Sequence, residues 1–187
     1  MKNIIQNEFN EHLKTANLLH NLTDSVAESA QLCIDCLKNG GKILLLGNGG
    51  SAADAQHIAA ELVGRYKTDR KGLPAIALTT DSSVITSISN DFGYTHVFDR
   101  QVEALANKGD VIIGISTSGK SSNVNNALKL ASKLKCITIG FSGKDGGEMN
   151  KTCDINIIAP SEDTPRIQEI HIIIGHTICH LIDLNFQ

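Results

Sequence analysis

No apolar run in this sequence approaches the ~20 residues that span a bilayer, so no transmembrane helix is expected. Basic residues are not in excess: 17 Lys and Arg stand against 20 Asp and Glu, a formal net charge of −3. That balance excludes a chain whose main task is gripping nucleic-acid phosphates or an anionic membrane. The cysteines are five, scattered and odd in number, which offers no disulfide framework. Met1 to Glu8 turns polar at once, so no signal peptide is expected and a reducing cytoplasm fits. Prolines number three against sixteen glycines. Apolar runs recur regularly between those glycines, which excludes a disordered composition. There is no internal repeat, low-complexity tract or linker. The 187 residues, 41% of them hydrophobic, are enough to bury a substantial core as one domain spanning 1–187.

Residues 1–40 read as a pair of helices and 41–187 as an α/β core. Ile5, Phe9, Leu13 and Ala16 recur at spacings of four and three, the period of one helical face. Ser25 and Glu28 have capping-box spacing, and Val26, Ala30, Cys33 and Leu37 form a second stripe ending at Gly40-Gly41. Beyond them, five short apolar runs alternate with helical patterns: Ile43–Leu46, Ala75–Leu78, Val111–Ser116, Ile137–Phe141 and Ile155–Ala159. The intervening helices are predicted at Ser51–Tyr66, in a broken pair across Ser82–Ala106, and at Ser121–Lys135. A short turn near Gly147–Lys151 and a last helix over Pro165–Leu184 complete the pattern, with Pro165 suited to the first turn. Continuous apolar strands alternating with helices predict a flavodoxin-like, five-stranded parallel sheet covered on both faces.

Two loops carry the chemistry. Gly47-Asn48-Gly49-Gly50-Ser51 follows the first strand, and Ser116-Thr117-Ser118-Gly119-Lys120-Ser121 follows the third. Each sets backbone N–H groups and hydroxyls at a helix N-terminus, where an anion is stabilised. In a sheet ordered 2-1-3-4-5 these strands flank the point where the winding reverses, which is where ligands sit. The pair points to a phosphate or sugar-phosphate site. GISTSGKS from Gly114 to Ser121 also spells a Walker A loop. Its first glycine lies inside the strand, however, and no other strand ends in an Asp placed for Mg²⁺, so Lys120 reads as solvated. Gly47 to Ala52 satisfies a dinucleotide fingerprint, but Asp81 lies too far along to serve as its acid. Cys33-Ile34-Asp35-Cys36 lies inside a helical pattern with no second pair, so it reads as core. Lys67, Arg70 and Lys71 read as a solvated loop.

His57 and Glu61 are four apart on the helix after the first loop and share a face, beside a buried stripe of Ala55, Ile58, Ala59 and Leu62. Imidazole and carboxylate on consecutive turns can ligate one divalent ion, and the pair suits zinc. The last helix carries His171, His176 and His180 in an apolar stretch. His171 and His180 read as core histidines with one hydrogen bond, while Gln168 and His176 would complete a ligand set. Those two are separated by a rise of ~12 Å on a straight helix. Either that helix is irregular or the ligands converge from two subunits.

GNGGSAADAQHIAAELVGRY from Gly47, SNDFG from Ser89, GISTSGKSSNV from Gly114, SGKDGG from Ser142 and RIQEIHIIIGH from Arg166 closely resemble the phosphoheptose isomerases. These are single sugar-isomerase (SIS) domain enzymes, and the resemblance runs from the N-terminal helices to the last helix. It implies conversion of sedoheptulose 7-phosphate to D-glycero-D-manno-heptose 7-phosphate, the first step toward nucleotide-activated heptose for lipopolysaccharide or capsule. It also implies a cytoplasmic homotetramer with subunit-shared active sites and one zinc per site. Residue by residue, it implies zinc ligation by His57, Glu61, Gln168 and His176, with Glu61 and His176 as the catalytic pair. Substrate contacts are implied for Asn48, Gly49, Gly50, Ser51, Glu61, Asn90, Asp91 and Gln168. Ser116, Thr117, Ser118 and Ser121 match the phosphate pocket. Pro165 departs from members that carry aspartate there. SIS-domain binding proteins and hexose regulators share the loops; Glu61 and His176 set this chain apart from the binding relative.

Overall fold

The computed structural model describes all 187 residues. Helices α1 (Lys2–Ala16) and α2 (Thr23–Lys38) lead, joined through a 3₁₀ turn at Leu19–Leu22. Then come β1 (Ile43–Gly47), α3 (Gly50–Val63), β2 (Ala75–Ala77), α4 (Ser82–Phe92), α5 (Asp99–Leu105), β3 (Val111–Ile115) and α6 (Ser122–Lys133). The chain closes with β4 (Ile137–Gly143), α7 (Met149–Thr152), β5 (Ile155–Ala159) and α8 (Thr164–Asp183). All strand pairs are parallel, in the order β2-β1-β3-β4-β5.

Burial on both faces explains the unbroken apolar runs of β1 and β3. Alternate residues serve different cores. Ile43, Leu45, Val111 and Ile113 face the side covered by α2, α3 and α8, whereas Leu44, Leu46 and Ile112 face α5 and α6. The N-terminal pair packs unevenly. Residues of α2 join the main core, but α1 turns Ile5, Phe9 and Leu13 outward, so its helical stripe has no cover within the chain. No helix is long and apolar enough to cross a membrane.

The structure corrects several local expectations. Ser25 and Glu28 form no capping box, because α2 continues directly from the 3₁₀ turn and begins two residues earlier. The Ser25 hydroxyl instead donates back to the Leu22 carbonyl. Helix α3 stops at Val63 rather than Tyr66, with Gly64 as its C-cap. Arg70 is no solvated residue: its guanidinium is buried against Asp183 and the carbonyls of Glu61 and Leu62. The Glu61 carbonyl lies in the last turn of a helix and would otherwise lack a donor, whereas that of Leu62 also accepts from the Leu73 amide. Pro165 does sit in the first turn of α8, and Cys33 and Cys36 are buried as expected.

Candidate active site

Strands β1 and β3 are neighbours, with Gly47 paired to Ile115, so both loops leave the sheet side by side. Neither following helix has a side-chain cap: Gly49 is the N-cap of α3 and Ser121 that of α6. By contrast, α4 begins with the Asp81 carboxylate accepting from the Val84 amide. The Gly50 amide at the start of α3 and the Ser122 and Asn123 amides at the start of α6 have no partner in the chain, the kind of arrangement that stabilises an anion.

The loop side chains are fixed beforehand. Asn48 and Asn123 exchange two amide hydrogen bonds of 2.9 Å, and the Tyr94 hydroxyl donates to Asn48 Oδ1 at 3.0 Å. The sequence assigns no role to Asn123 or Tyr94, though Asn123 lies within the motif from Gly114 and Tyr94 directly follows the one from Ser89. Ser116 is buried with its hydroxyl 2.9 Å from that of Ser121. Gly119 adopts φ +63° and packs against the backbone of Gly146 and Gly147, leaving no room for a side chain. Thr117 and Ser118 complete the turn between Ser116 and Gly119. Lys120 points away and pairs with Asp145 at 3.0 Å, both well exposed, as the solvated reading required. Asn90 and Asp91 stand exposed at the end of α4, with the Asn90 amide donating to the Asp91 carboxylate.

The second half of the site lies along α3 and α8. These helices run side by side: Gln168 lies over Gly50, Gly175 over Ile58, and His176 beside His57. A Cβ at Gly50 would strike the Gln168 amide, so the bare backbone there admits that side chain. Ala55, Ile58, Ala59 and Leu62 are buried as expected, leaving His57 and Glu61 on the accessible side. His57 Nε2 is 3.2 Å from Glu61 Oε1 and 3.4 Å from His176 Nε2. One ligand atom from each of the three lies within 4.8 Å of the others. Gln168 is not in this group. Helix α8 runs unbroken, so Gln168 stands about two turns away from His176, at the loop end of the groove.

The other histidines of α8 differ from one another. His171 is fully buried, with one ring nitrogen 2.9 Å from the Ser142 carbonyl and the other unpartnered. Burial lowers its pKa to about 4 despite that bond, so the ring is neutral. His180 is not a core residue; it is half-buried, 3.5 Å from Lys67 Nζ and tilted against Tyr66. Cys179 is no nucleophile in waiting, because burial first, then the charges of Glu61 and Asp183, push its thiol up to about 12.

The chain matches the SIS domain model over residues 8–143. The phosphoheptose isomerase of Aliarcobacter butzleri is 61% identical over 184 residues, covering 98% of this chain and 97% of that protein. That of Campylobacter jejuni serotype O:6 is 57% identical over 186 residues, covering 100% of each chain to the nearest per cent. The solved phosphoheptose isomerase of Neisseria gonorrhoeae superposes with a TM-score of 0.93 at 43% identity, over 98% of each chain. The Vibrio vulnificus NanR protein, at 14% identity and a TM-score of 0.66, shares the fold alone. This chain belongs to the phosphoheptose isomerase family of SIS-domain proteins.

Proposed function

We propose that this chain interconverts sedoheptulose 7-phosphate and D-glycero-D-manno-heptose 7-phosphate, supplying heptose for lipopolysaccharide or capsule from the cytoplasm. The observation that carries the reading is the convergence of His57, Glu61 and His176, on the helix that starts at the first anion loop and on its neighbour. A SIS binding module or regulator needs the loops but not that group.

The hydroxyls of Ser116, Thr117, Ser118 and Ser121, with the start of α6, hold the phosphate, which is never transferred and needs no lysine. Asn48, Gly49, Gly50, Ser51, Asn90, Asp91 and Gln168 orient the open-chain sugar. Glu61 removes a proton from C1 of the ketose and the proton is delivered to C2, through an enediol. His176 moves a proton between the oxygens on those carbons.

Two imidazole nitrogens and a carboxylate oxygen are a donor set that fits zinc. When bound, zinc polarises the sugar carbonyl. His57, Glu61 and His176 would hold it. The fourth ligand, Gln168, comes from a neighbouring copy, because one straight helix does not bring Gln168 and His176 together. The uncovered stripe of Ile5, Phe9 and Leu13 supports the same assembly, a homotetramer with shared active sites.

Mixing the purified protein with sedoheptulose 7-phosphate and following the aldose by NMR tests the reading. Turnover is expected; none from either native or zinc-loaded protein would refute it. Metal analysis after chelator-free purification tests the zinc, and light scattering the tetramer.

A further inference from the structure

His176 is the member of the trio that comes from a different helix, so something must fix its ring relative to His57 and Glu61. Helix α3 ends at Val63, and the chain bends at Gly64 back toward α8. Two residues later the ring of Tyr66 stacks on His176, with centroids 5.3 Å apart and planes 29° from parallel. His57 meets the same imidazole edge-on, at 4.9 Å and 82°. The His176 ring is thus held between a stacked phenol and a crossed imidazole.

Tyr66 is itself held from α8. Asp183, two helical turns beyond His176, accepts hydrogen bonds from the amides of Lys67 at 2.7 Å and Thr68 at 3.0 Å. Arg70 Nε donates to the same carboxylate at 2.6 Å, and its other nitrogens reach the carbonyls of Glu61 and Leu62. Both side chains of this ion pair are at most 1% exposed. One guanidinium therefore ties the end of α3, where Glu61 sits, to the helix that carries His176. The residues following Tyr66 are clamped between those two helices.

From this geometry we propose that Tyr66 is a positioning residue. Its ring sets the orientation of the His176 imidazole, and the buried Arg70–Asp183 pair sets the place of Tyr66. The inference rests on the role given above to His176. Orientation errors of about 1 Å at a reacting group cost on the order of a hundredfold in rate. A ring that orients without touching substrate should act on kcat and spare KM.

Tyr66→Phe, Tyr66→Leu and Tyr66→Ala test this by steady-state kinetics and by the NMR shift of the His176 ring protons without substrate. Tyr66→Phe should keep kcat within about twofold, because the aromatic face is retained. Tyr66→Ala and Tyr66→Leu should each lose about tenfold or more in kcat with KM little changed. The upfield ring-current shift on His176 should persist in the Phe variant and vanish in the other two. A Leu variant as active as the Phe variant would reduce Tyr66 to a space filler and overturn the proposal. So would a loss confined to KM, or a Phe variant as impaired as the Ala one. Should Tyr66→Ala fail to fold, the Phe and Leu variants still decide. If the unsubstituted protein converts no sedoheptulose 7-phosphate, the isomerase reading fails, while the ring shift still reports whether Tyr66 orients His176.

Discussion

The two ends of the α3–α8 groove solve different problems with different materials. At the loop end stand backbone donors and small hydroxyls whose places follow from β1 and β3 lying side by side. At the other end, His57 and Glu61 meet His176, which is 119 residues further along the chain than His57. The loop end is built from local turns, and the trio from the packing of two whole helices. On the proposed function, binding and chemistry should be separable by mutation: damage to the loops should weaken grip, and damage to the trio should stop turnover.

The largest effect is expected from His176→Gln. It should lower kcat by roughly 10²- to 10⁴-fold, the usual worth of an acid/base group, while circular dichroism and the oligomeric state stay unchanged. A near-normal rate would break the comparison at its catalytic end.

His171 lies on α8 between Gln168 and His176 and tests how firmly the helix seats both ends. Its folded pKa of about 4 is below the unfolded value of 6.5, so the unfolded chain binds the extra proton first. Stability should thus be intact above pH 6.5 and decline as pH falls toward 4, by up to roughly 3 kcal/mol. Urea unfolding at several pH values reads this slope, and His171→Gln should flatten it.

Ser116→Ala comes next. One hydrogen bond to a charged group is lost, so KM should rise about tenfold with kcat nearly kept. Steady-state kinetics separates the two; a fall in kcat alone would place Ser116 in the chemistry. The smallest effect belongs to Lys120→Ala. Its only partner is an exposed Asp145, so turnover should stay within about twofold and stability within about 0.5 kcal/mol. A large loss would restore the Walker reading.

This difference also explains what could be read from the residues alone. The five strands, both loops and the His57–Glu61 pair follow from local spacing, and the strand order from the flavodoxin-like fold class; all stand where expected. Lys120 could be set aside for the same reason. What was not legible depends on distant partners. Arg70 resembles any loop arginine until Asp183 folds over it, and Asn123 is an unremarked polar residue until Asn48 lies opposite. The helical pattern runs on to Tyr66, but the helix ends three residues before it. The Ser25–Glu28 spacing misled because the preceding 3₁₀ turn leaves no free helix start there. For α1, periodicity revealed the stripe but could not tell that the chain itself leaves it uncovered.

Glu61→Gln offers the most direct test of the central claim, that the loops bind and the trio reacts. Calorimetry with sedoheptulose 7-phosphate and NMR of aldose formation would be run on the same preparation. Binding should stay within about tenfold of the unsubstituted protein and turnover should fall at least about a hundredfold. Aldose formation at a near-normal rate, or loss of binding as complete as loss of turnover, would contradict it.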